Sequence, residues 1–104
     1  MTSPLAISIP ADHPAFAGHF PGMPIVPGVV LLDEALHAIG VALGRDISDC
    51  RIASAKFLAP VLPGQALAVE HAFAASGALR FTIWQDARKV ATVACDPDAS
   101  SAQA

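Results

Sequence analysis

The chain has 104 residues, a formal net charge of −3 and 14% charged residues, which predicts one small, mildly acidic domain. Its six Lys and Arg residues are scattered, and this argues against nucleic acid as a partner. Polar residues interrupt the most apolar segment, so no run of about 18 apolar residues could span a membrane, and the first residues lack the pattern of a signal peptide. We therefore expect a soluble, cytoplasmic protein in which Cys50 and Cys95 are free thiols.

The chain is unusually apolar for a lone soluble monomer of its size. Its mean hydropathy is +0.53, and much of that excess comes from alanine, which adds little core volume. We interpret the remainder as surface that is covered in an oligomer or that lines an apolar ligand channel. The alternative interpretation is a plain alanine-rich core.

The first predicted element is a short strand over residues 5–9, where apolar and polar residues alternate before Pro10. Residues 10–27 contain five prolines and two glycines, a density that excludes a regular element. Because proline fixes φ, this loop is predicted to be stiff and able to hold a functional group at low entropic cost.

A helix is predicted to begin at Pro27-Gly28, to run to about Leu43 and to end at Gly44. Apolar residues cover most of its circumference, and its polar side chains share an arc of about 100° at about 3.6 residues per turn. That polar arc holds Asp33, Glu34 and His37. Such a helix is expected to lie in the middle of the protein.

Everything after the helix is predicted to form strands, over residues 50–58, 66–74, 79–84 and 89–95. Turn signals separate them at residues 63–64, 76–77 and 85–88. Leu67, Val69 and Phe73 share one strand face, as do Leu79, Phe81 and Ile83. The pattern predicts an α+β domain over residues 1–96, an antiparallel sheet wrapped around a central helix, followed by a flexible tail at 97–104.

Three residues in one contiguous stretch have the properties needed for chemistry beside a carbonyl. His19 in the stiff loop is a base with a pKa near the operating pH, and Gly28 offers a backbone N–H at a helix start without a side chain in the way. Asp33 is a carboxyl group in apolar surroundings, which favour its protonated form. Taken singly, each has an ordinary explanation: an idle histidine, a helix-start glycine and a solvated aspartate.

Two blocks of sequence resemble the 3-hydroxyacyl-[acyl carrier protein] dehydratase family. The first is HFPGMPIVPGV at residues 19–29, with Asp33 at the family's acidic position five residues after the glycine. The second is KFLAPVLPG at residues 56–64. The chain looks most similar to short members that accompany aryl-polyene and related polyketide-like pathways.

The resemblance implies a single hot-dog fold and dehydration of a 3-hydroxyacyl thioester, linked to acyl carrier protein or CoA, to the trans-2-enoyl thioester. It implies a homodimer, or a heterodimer with a related hot-dog subunit, in which His19 of one chain faces Asp33 of the other. It also implies that the Gly28 amide polarises the thioester carbonyl. The resemblance assigns the substrate wall to Phe20, Pro27 and Val29. The reaction needs no metal or cofactor.

This chain departs from the family pattern at several positions. Leu58 and Ala59 stand where well-known members have basic residues that suit an acidic carrier protein. The remaining candidates for carrier docking are Arg45, Arg51, Arg80, Arg88 and Lys89. His37 stands where glutamine is common, one helical turn after Asp33, so it either tunes Asp33 or fills space.

Other side chains are interpreted as structural. His13 and His71 are expected to be structural or exposed, and Trp84 to belong to the core or an interface. The four histidines have no metal-ligand spacing.

Two other functions stay open. A hot-dog thioesterase would use Asp33 or Glu34 to activate water, a scheme in which His19 has no role. A non-catalytic partner subunit would need neither His19 nor Asp33. The acyl chain, the carrier and a subsequent isomerisation are not specified by these residues.

Overall fold

The computed structural model describes residues 4–9, 26–47 and 49–97. The predicted stiff loop therefore lies outside the described residues up to position 25, together with His13, His19 and Phe20. The elements are β1 (Leu5–Ser8), α1 (Gly28–Leu43), β2 (Arg51–Phe57), β3 (Ala66–Phe73), β4 (Leu79–Gln85) and β5 (Arg88–Asp96). Each predicted strand and the predicted helix are confirmed, with ends that shift by at most one residue.

The five strands form one antiparallel sheet in the order β1-β3-β4-β5-β2. Hairpins join β3 to β4 and β4 to β5. Strand β2 precedes β3 in the chain but pairs with β5, on the opposite side of the sheet from β1. Among the described residues, β1 and β2 are the edges of the sheet. Six of the seven residues of β2 are exposed, so this edge has little cover on either face.

The core lies between α1 and one face of the sheet. On β4, the predicted apolar face is confirmed, because Leu79, Phe81 and Ile83 are all buried. On β3, Leu67 and Val69 are buried, but Phe73 at the end of the strand is exposed. The core residues of the helix are Val30, Leu31, Ala35, Leu36 and Ile39.

The helix is less enclosed than its composition predicts. It covers one face of the sheet, and its far side is an exposed row of residues at four-residue spacing, Val29, Asp33, His37 and Val41, here called the outer stripe. Val29 is 64% exposed and Val41 is 70% exposed. The physical reason is that a single five-stranded sheet contacts only one side of a helix, so apolar residues on the other side stay uncovered in one chain.

Both ends of α1 follow the local signals. Pro27 precedes the helix with extended backbone, φ −60° and ψ 145°, which suits a residue that has no N–H to donate. Gly44 ends it in the left-handed region at φ 72°, and the N–H of Arg45 donates to the carbonyl of Gly40 over 3.0 Å. The predicted helix limits are confirmed at both ends.

Two further observations concern the chain as a whole. Pro97, the first residue of the predicted tail, is buried, and residues 98–104 lie outside the described part, so tail flexibility stays a prediction. Within the described ranges, no helix is long and apolar enough to cross a membrane.

Candidate active site

The first turn of α1 has backbone N–H groups that no carbonyl of the helix accepts. The N–H groups of Val30 and Leu31 both donate to the carbonyl of Pro27, over 3.0 and 3.3 Å. The N–H groups of Gly28 and Val29 have no partner within α1, because they belong to its first turn. They lie at the positive end of the helix dipole, where developing negative charge is stabilised.

Segment 57–61 positions this helix start. The Val26 N–H donates to the Val61 carbonyl over 2.8 Å, and the Leu58 N–H donates to the Val90 carbonyl over 2.7 Å. The segment and the helix start enclose an apolar groove of about 470 Å³. Its lining residues are Val26, Gly28, Leu31, Phe57, Leu58, Ala59, Pro60 and Val61. Leu58 and Ala59, which replace basic residues of the family pattern, therefore make one side of this groove apolar.

Phe57 explains the glycine at position 28 in a way that sequence reasoning missed. A Cβ added to Gly28 would lie 2.7 Å from Cζ of Phe57 and 3.0 Å from both Cε atoms. The ring thus occupies the space that a side chain would need, in addition to any role that Gly28 has toward a ligand. Gly28 and Phe57 lie in the two blocks that resemble the family, residues 19–29 and 56–64. The spacing of these blocks in the sequence does not specify that the two residues are in contact.

Asp33 lies at a second, open groove of about 750 Å³ between α1 and the chain that follows it. Leu36, Gly40 and Ile47 form its apolar floor, and all three are buried. Its remaining lining residues are Asp33, His37, Val41, Gly44, Arg45 and Asp46. The neighbouring Glu34 is half-buried and does not line this groove, which distinguishes it from Asp33.

One chain does not bring Gly28 and Asp33 into a common cavity. Five residues of helix separate them by about 140° around the axis at about 3.6 residues per turn. Gly28 faces Phe57 and Asp33 lies on the outer stripe, in separate grooves. Of the predicted substrate wall, Pro27 is half-buried beside Gly28 and Val29 is exposed on the outer stripe.

The other singled-out residues lie away from both grooves. His71 is half-buried on β3, opposite Phe81. Trp84 is half-buried on β4, with the Lys89 ammonium 5.4 Å above its ring centre, a cation–π geometry. Within the described ranges, no cluster of His, Cys, Asp or Glu is arranged to hold a metal ion.

Several of the basic residues suggested for carrier docking have partners within the chain. Arg88 contacts the Pro60 carbonyl and the Gln85 side chain, and Lys89 lies over Trp84. Arg51 lies directly across from Asp96.

The contact between Gly28 and Phe57 is testable by a double-mutant cycle. Gly28→Ala should lower the free energy of unfolding by up to about 1 kcal/mol, because the half-exposed Phe57 ring must turn away from the new methyl group. Phe57→Ala removes the overlap, so Gly28→Ala should cost less than about 0.5 kcal/mol in that background. Urea unfolding of the four proteins measures both values. An equal cost in both backgrounds would contradict the packing explanation.

One helix packed on one face of an antiparallel five-stranded sheet is the arrangement of the hot-dog fold. The profile of the ApeI-like dehydratase family matches residues 2–94, and the chain belongs to this family. The predicted family and fold class are therefore confirmed.

Relatives and solved structures agree with this placement. The chain is 40% identical over 75 residues to the 3-hydroxyacyl-[acyl-carrier-protein] dehydratase FabZ of Chlamydia trachomatis serovar L2, covering 64% of this chain and 49% of that protein. It is 41% identical over 87 residues to FabZ of Geobacter metallireducens, covering 74% and 55%. The chain thus spans about half the length of these curated relatives.

Among solved structures, the dehydratase heterocomplex ApeI:P from Xenorhabdus doucetiae has a similar fold. The TM-score is 0.69 at 22% identity, over 88% of this chain and 81% of that chain. An uncharacterized protein from Erwinia carotovora subsp. atroseptica gives a TM-score of 0.66 at 27% identity, over 89% and 79%.

Proposed function

We propose that this protein dehydrates a 3-hydroxyacyl thioester to the trans-2-enoyl thioester. The proposal rests mainly on one observation in a chain of the ApeI-like dehydratase family: a helix whose first N–H groups have no partner within the helix also has a carboxylate on its exposed side. The substrate is an acyl thioester of acyl carrier protein or CoA, in fatty-acid or polyketide-like synthesis. We also propose a cytoplasmic location, as expected from the sequence.

The proposed chemistry assigns one proton transfer to each side chain. Neutral His19 takes the proton from C2 of the substrate, and negative charge develops on the thioester oxygen. The Gly28 N–H donates to that oxygen at the positive end of the helix dipole. The Asp33 carboxyl group gives a proton to the C3 hydroxyl, which leaves as water as the double bond forms. The proton on His19 returns to the Asp33 carboxylate through solvent before the next cycle.

We further propose that two hot-dog chains share each site. Gly28 and Asp33 point about 140° apart on one helix, so one chain presents them to different grooves, and a second chain can supply the missing group. The exposed β2 edge and the apolar ends of the outer stripe are surfaces that a partner would cover. The similarity to a chain of a dehydratase heterocomplex supports a hot-dog partner, either a second copy or a related subunit.

The activity is tested by incubating the purified protein with 3-hydroxyacyl and 2-enoyl thioesters. Dehydration, hydration and release of free thiol are measured separately, on both acyl carrier protein and CoA. Interconversion of the two thioesters without thiol release is the expected result. Thiol release alone would indicate the thioesterase. No turnover by the protein alone, restored by a related hot-dog subunit, would indicate the heterodimer or the non-catalytic partner.

Mixing two inactive variants tests the shared site. His19→Ala and Asp33→Asn, exchanged at equal amounts, should recover about a quarter of full activity, because half of the dimers then contain one intact site of two. Wild type mixed equally with the His19→Ala/Asp33→Asn double variant is the matched control.

The control separates the two arrangements. With a shared site, the hybrid dimers have no intact site and activity falls to about a quarter of that of pure wild type, whereas a site within one chain leaves about half. Absence of recovery despite demonstrated subunit exchange would contradict the shared site.

A further inference from the structure

The two cysteines of this chain meet at one corner of the sheet, although 44 residues separate them in sequence. Cys95 lies near the end of β5, directly across from Ile52, and Cys50 immediately precedes β2. The Cys50 side chain packs against the buried core that includes Cys95.

The environments of the two thiols differ. Cys50 is half-buried and can be reached by a small solute, whereas Cys95 is 1% exposed. Burial, together with the hydrogen bond and charge of Cys50 and the charge of Asp96, raises the pKa of Cys95 to about 12. Cys95 is therefore a protonated thiol at neutral pH, and Cys50 is the one that an oxidant meets first.

We propose that Cys50 and Cys95 form a reversible redox site that closes to an intramolecular disulfide. A peroxide oxidises the Cys50 thiol to the sulfenic acid. The peroxide O–O bond breaks, one oxygen is transferred to sulfur, and the other is released as water or an alcohol. The Cys95 sulfur then attacks the Cys50 sulfur, the S–O bond breaks, and the Cys95 proton leaves with the hydroxyl group as a second water. Two thiols and one peroxide thus give one disulfide, and a dithiol reductant reverses the change.

Closure would affect the segment beside Asp33. The Cys50 N–H donates to the Ile47 carbonyl over 3.0 Å, and Ile47 lines the Asp33 groove together with Arg45 and Asp46. The bond also links the start of edge strand β2 covalently to β5. It should therefore stabilise the fold, because a closed loop of about 45 residues restricts the unfolded chain.

The experiment treats the full chain with graded hydrogen peroxide and follows free thiols, intact mass and Tm. We expect both thiols to disappear together, a loss of two hydrogen atoms, no covalent dimer on a non-reducing gel and a rise in Tm of about 5–15 °C. Dithiothreitol should reverse all four changes.

Two variants keep the proposal falsifiable. In Cys50→Ser, Cys95 should stay reduced at peroxide levels that convert wild type. In Cys95→Ala, Cys50 should stop at the sulfenic acid, detected with a dimedone probe. A wild-type protein that accumulates Cys50 sulfenic acid without closing the bond would overturn the proposal, as would a disulfide between two chains.

Discussion

Replacing His19 by alanine is expected to lower dehydratase turnover by about 10²–10⁴-fold, the usual contribution of a general acid–base group. His19 is the only histidine in the sequence block that resembles the dehydratase family, HFPGMPIVPGV, and no other side chain of that block is a base. The fold should be unaffected, because α1 and the sheet supply most of the described core. Turnover and thermal unfolding are measured on the same preparation.

His13→Ala is the matched control for this substitution. His13 lies in the same proline-rich stretch but outside the block, so its loss should change turnover by less than a few-fold. A decrease of less than about tenfold in well-folded His19→Ala would show that His19 is not the base.

Asp33→Asn should reduce turnover by a similar factor, about 10² or more, while Glu34→Gln should have a mild effect. The two carboxylates are adjacent in sequence but point about 100° apart on the helix. Asp33 lines the open groove with His37, whereas Glu34 is half-buried and does not. Asparagine keeps the size of the side chain and removes the transferable proton, so a loss in Asp33→Asn reports proton transfer.

The order of these two effects is the informative result. A severe loss in Glu34→Gln with near-normal Asp33→Asn would contradict both the match to the family's acidic position and the proposed mechanism. Kinetics with 2-enoyl thioesters should show the same order in the hydration direction, because the same groups serve both directions. An Asp33→Asn variant that lost thiol release instead of hydration would indicate a thioesterase.

The sequence by itself determined the local elements. A proline before the apolar run and a glycine after it were sufficient to predict both ends of α1, because helix caps depend on the backbone conformations of single residues. Alternating apolar residues and local turn signals located the strands of the β3-β4-β5 meander, because both depend on residues that are neighbours in the sequence. The family was also accessible from residues 19–29 and 56–64, since each block is an uninterrupted run that can be compared residue by residue.

The tertiary structure alone decided what depends on contacts between distant residues. Composition predicted a helix in the middle of the protein, yet the outer stripe is open in one chain. The spacing of apolar residues along a helix does not specify how many of its sides other elements cover. The contact of Phe57 with Gly28 and the meeting of Cys50 with Cys95 depend on β2 crossing to the far side of β5. Strand order and register set such contacts, and they arise from the packing of the whole domain, not from local sequence preferences.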